Sequence, residues 1–61
     1  MDWRELNRRL RTAAEEWCAE QLAVELAGPA RRAFLLRIHA RLNRLRARRE
    51  RAELEQRSIA R

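Results

Sequence analysis

Five arginines set the chemistry open to this chain. Arg37, Arg41, Arg44, Arg48 and Arg51 recur at spacings of four, three, four and three, which places them on one side of a helix. A guanidinium makes two parallel hydrogen bonds to a phosphate or carboxylate. Fifteen positions of helix extend about 20 Å, long enough to follow several phosphates of a nucleic acid or the flank of an acidic helix. The chain has fifteen arginines and no lysine among 61 residues, and its formal net charge is +6. Such a balance draws phosphate or acidic protein surface. The absence of lysine also fits a GC-rich coding sequence that uses arginine wherever a cation is wanted.

Other reactive groups are sparse. His39 and Cys18 are the only soft metal ligands, whereas a structural zinc site takes four, so no metal and no cofactor are expected. No nucleophile, orienting group or oxyanion donor accompanies His39, and an enzyme is not expected. Glu15 and Glu16 are adjacent and point about 100° apart on a helix, so they cannot share one substrate atom. One glycine excludes a glycine-rich phosphate loop. Trp3 and Trp17 fall on an apolar seam and read as packing residues rather than a stacking platform for bases.

The elements that must position the arginines are helices. One glycine, one proline and no tyrosine, with Ala, Arg, Glu and Leu making up most of the chain, is an all-α composition. Asp2 followed by Glu5 is a capping-box spacing that starts a helix near the first residue. Neither Gly nor Pro interrupts Trp3 to Ala27, so one helix of about 38 Å is expected there. Gly28 and Pro29 supply a helix end and a helix start. The reading is a single domain over 1–61, an antiparallel two-helix hairpin with helix 1 at about 2–27, a corner at 28–29, helix 2 at about 29–57 and a frayed tail at 58–61. Folding back at the corner would set Glu25 beside Arg32, Glu20 beside Arg37 and Glu16 beside Arg41.

The apolar residues divide into two sets. Trp3, Leu6, Leu10, Ala13, Trp17, Val24 and Ala27 follow heptad spacing on helix 1, matched on helix 2 by Leu35, Ile38, Leu42, Leu45, Ala52 and Ile59, and these form the expected core. Cys18, Leu22 and Leu26, with Leu36, Ala40, Ala47, Leu54 and the neighbouring His39, lie off that seam, on a flank expected to be opposite the arginines. A chain of this size makes a marginal core, and an uncovered apolar flank marks an association surface. A homodimer forming a four-helix bundle is therefore expected, through Cys18, Leu22, Leu26, Leu36, His39 and Leu54. A capped helix, a tight corner at Gly28-Pro29 and a second helix resemble the layout of the Rop-type plasmid RNA-binding hairpins, which implies the same dimeric bundle and carries over no functional positions.

The functional expectation is a non-enzymatic protein that binds nucleic-acid phosphates, DNA or RNA, through Arg9, Arg37, Arg41, Arg44, Arg48 and Arg51. At the open end Arg44 and Arg48 would face Arg9, and residues 41–61 carry eight arginines against three glutamates. The alternative is a small adaptor or assembly subunit that docks on a protein partner through the second apolar flank, with its arginines on acidic protein surface. No small-molecule substrate and no membrane association are expected, because the arginines flank a heptad core instead of framing one broad apolar face. A lone cysteine and the absence of a long apolar run suit a cytoplasmic protein.

Overall fold

A computed structural model describes residues 1–59 as three helices, α1 (Trp3–Leu10), α2 (Glu15–Ala27) and α3 (Arg32–Ile59), and no strand occurs among these residues. The chain is all-α as expected, but it is not a two-helix hairpin. The segment expected as one helix over 2–27 breaks at residues 11–14.

α1 begins where its cap predicts. Asp2 is extended, and its Oδ1 accepts from the Glu5 backbone N–H at 2.8 Å. The Glu5 carboxylate does not reach back to complete the box; it pairs with Arg9 at 2.8 Å and Arg8 at 3.7 Å. At the far end Thr12 N–H donates to the Arg9 carbonyl at 3.3 Å, and Ala14 turns extended, at φ −78° and ψ 162°. Both sides of this break carry the charge that helix ends prefer: Arg8 and Arg9 close α1, and Glu15 and Glu16 open α2. The gain from breaking is burial. Laid alongside α3, α1 brings Leu6 and Leu10 to 1% and 0% exposure, worth about 1.5 to 3 kcal/mol each.

The break also resets the face that α2 presents. Cys18 and Glu25 point inward with Leu22 half-buried, whereas Val24 is 58% exposed and Ala27 is exposed, so the expected seam through Val24 and Ala27 is displaced by one position. Ala14 is the N-cap of α2 and makes no side-chain cap bond. Ala14→Asp should therefore raise stability by about 1 kcal/mol in urea titration, whereas in an unbroken helix the same change would lower it.

The corner is longer than Gly28-Pro29. Arg31 is the last residue before α3, and Leu35 N–H donates to its carbonyl at 2.9 Å. Ala30, not Gly28, takes the left-handed conformation, with φ 50°, at a cost of about 1 kcal/mol for a residue with a Cβ. Ala30 N–H donates to the Glu25 carbonyl at 2.8 Å and Arg31 N–H to Glu25 Oε2 at 2.8 Å, which hold it there.

Leu6, Leu10, Cys18, Ile38 and Leu42 form the core, ringed by Ala13, Trp17, Leu22, Phe34 and Leu45. On α3 the expected inner seam holds through Leu45. Beyond it every residue from Arg46 to Ile59 is exposed, including Ala52 and Ile59, which were expected in the core. The helix runs past the expected end near residue 57 to Ile59, the last described residue, and the remainder of the expected frayed tail lies outside the described residues. At 28 residues α3 runs about 42 Å, close to the 47 Å length of the molecule, and its second half extends past the body.

Candidate nucleic-acid interface

The arginine ladder is split by what α1 does. Arg37 is half-buried, and its Nε donates to Asn7 Oδ1 at 2.7 Å, while Asn7 Nδ2 donates to the Trp3 carbonyl at 2.8 Å. Arg41 is half-buried too; its Nη2 approaches the Arg11 carbonyl at 3.4 Å, and its Nε is buried without a hydrogen-bond partner. These two arginines hold α1 against α3. Arg9 belongs to the Glu5 pair on α1.

Arg44, Arg48 and Arg51 are exposed and make no ion pair or hydrogen bond among the described residues. With Ala47, Glu50 and Leu54 they line a shallow open concavity on α3. The ladder Arg44, Ala47, Arg51, Leu54 runs at spacings of three, four and three, so arginine and apolar side chains share one ridge. This corrects the expectation that they occupy opposite flanks.

The expected association residues scatter for the same reason. Cys18 is fully buried in the core and cannot contact a partner, and burial pushes its thiol pKa up, leaving it an inert packing residue. Leu22 packs half-buried against the core. Leu26 and Leu36 are 61% and 55% exposed, Leu54 is 66% exposed beside the arginines, and His39 is exposed next to Asn43.

None of the three expected helix-to-helix ion pairs forms. Glu16 and Glu20 make no ion pair among the described residues, and Glu25 pairs with Arg31 instead of Arg32. Arg49 supplies the cross-link at the open end: its Nε lies 2.8 Å from Glu15 Oε1, and its Nη1 lies 3.1 Å from Glu53 Oε1. The hydrogen bond from Arg49 holds the Glu15 carboxyl below its ordinary range and pushes the Arg49 pKa up.

At the corner Glu25 is 6% exposed and accepts from Arg31 Nη2 at 2.9 Å and Nε at 3.1 Å. The Arg31 guanidinium sits 3.4 Å over the Phe34 ring, and Phe34 meets Trp3 edge to face at 5.4 Å. Sequence reading missed this cluster, whose only local signal is an acid six residues before an arginine, across the proline. Hydrogen bonds from Arg31 hold the Glu25 carboxyl below its ordinary range. A group with a lowered folded pKa stabilises the fold above its unfolded value and stops doing so as pH falls through the folded one. Helicity should therefore weaken as pH falls through and below the ordinary glutamate range, and Glu25→Gln should flatten part of that decline in circular dichroism.

A neighbouring cleft is lined by Met1, Val24, Pro29 and Phe34, with Glu25 and Arg31 as its charged groups, and these two are spent on each other. No group of three or more His, Cys, Asp or Glu able to hold a metal occurs among the described residues. No described helix is long and apolar enough to cross a membrane. No family model, no curated protein and no solved structure matches the chain.

Proposed function

We propose that this is a non-enzymatic cytoplasmic protein that binds the phosphate backbone of nucleic acid through the free half of α3. The observation that supports the reading is the triad Arg44, Arg48 and Arg51, exposed and unpaired among the described residues, with Arg44 at the last packed turn of α3 and Arg48 and Arg51 on the segment beyond Leu45. Arg37 and Arg41, taken up by α1, contribute field rather than contacts. Three phosphate contacts give a slope of about −2.7 in log affinity against log salt, or a loss of about 40-fold between 50 and 200 mM. Gel-shift titration on duplex DNA and structured RNA at those two salts tests it, and no retention at low salt rejects it.

The exposed Leu26 and Leu36 favour a second reading, an adaptor or homodimer that associates through the corner end, in a four-helix bundle if two copies pair. Light scattering on the 7.4 kDa chain checks it. A mass twice that value supports the pair, and a monomer leaves these leucines to another protein.

A further inference from the structure

We propose that the outward face of α3 enters the major groove of duplex DNA and reads base edges there through Asn43 and Glu50. The inference rests on the phosphate-binding reading above and names its substrate class.

Three observations carry it. First, α1 and α2 both pack on the side of α3 that bears Ile38 and Leu42, and Leu36, Ala40, Asn43, Ala47, Glu50 and Leu54 on the other side are all exposed. The helix is thus open over its length, and a B-form major groove about 12 Å wide admits one helix. Second, at 100° per residue Asn43, Ala47, Glu50 and Leu54 fall within about 60° of one another, and arginines border them on both edges, Arg44 and Arg51 on one and Arg46 and Arg57 on the other. A groove has a phosphate strand along each wall, and cations on both edges of a helix match two walls. An acidic helix would need them along one seam.

Third, Glu50 sits inside this cationic face without an ion pair among the described residues. A carboxylate there opposes plain phosphate binding. It suits a base edge, since glutamate accepts from the cytosine N4 amine and asparagine pairs with adenine. Asn43 is held only by 3.4 Å contacts to the His39 ring and is free to turn outward. Ala47 between them has the size to meet a thymine methyl. The A-form RNA major groove is too narrow for side chains to read, so the arrangement selects DNA.

Selection of the full chain on a duplex pool with a randomised centre tests this. Enrichment of a short motif is expected, and Asn43→Ala and Glu50→Ala should each lower discrimination at a different base pair by about fivefold or more while salt-sensitive retention of random duplex persists. Both residues are exposed, so the fold is unaffected, and circular dichroism confirms it. Retention without enrichment, equal affinity for duplex RNA, or displacement of the selected duplex by polyglutamate as readily as by random duplex overturns this inference and leaves the phosphate reading standing. No retention of any duplex at low salt overturns both.

Discussion

Arg44→Glu, Arg48→Glu and Arg51→Glu together are expected to abolish retention of duplex DNA at 50 mM salt without changing helix content or the urea midpoint. On the phosphate-binding reading the loss is large because reversal removes three cations that would meet phosphates and puts three repulsive charges on the same ridge. The fold is spared because all three side chains are exposed and unpaired among the described residues, and exposed substitutions of this kind stay within about 0.5 kcal/mol. Reversing Arg37 and Arg41 instead should do the opposite first: those side chains bond Asn7 and the Arg11 carbonyl, so α1 would detach before binding is read. A triple reversal that still retains duplex in a gel shift would remove the free half of α3 as the binding surface.

Leu42→Ala should leave the chain largely unfolded at room temperature. Leu42 is 1% exposed at the centre of the core, and truncations of this kind cost about 2 to 5 kcal/mol. A core in a chain this short supplies about 3 to 5 kcal/mol in all, so one substitution consumes the margin. Leu54→Ala is the matched control: the same atoms are removed from a side chain 66% exposed, and the expected change is within about 0.5 kcal/mol. Urea denaturation of the pair, followed by circular dichroism, reads the contrast directly. Equal costs at the two positions would mean that a second chain covers Leu54.

Local signals placed the ends that carry a capping group or a helix breaker. Asp2 starts α1 and the chain turns at Gly28, because a side-chain acceptor and a proline act within a few residues of where they stand. The inner seam of α3 through Leu45 was legible from periodicity alone. The break at residues 11–14 was not, because no glycine or proline marks it, the Thr12-to-Glu15 capping spacing is not the cap α2 uses, its N-cap being Ala14, and the turn is decided by burial of Leu6 and Leu10 against a distant helix. Its local trace, arginines before and glutamates after, is weak because each charge at a helix end is worth only tenths of a kcal/mol. Missing that turn shifted the inward face read for α2, so Cys18 was placed at an interface and Val24 in the core. The arginine ladder was visible in the sequence, but which of its members are free depends on where α1 lies.

Packing ends at Leu45, and the tie beyond it is a surface one, Arg49 to Glu15. The molecule is thus a small anchor carrying an unclad rod, and the rod's lettering is free of the anchor's demands. Residues past Leu45 can be exchanged for those of another ligand-seeking helix, provided an arginine stays at position 49, and the three-helix body should accept the graft and display the new specificity.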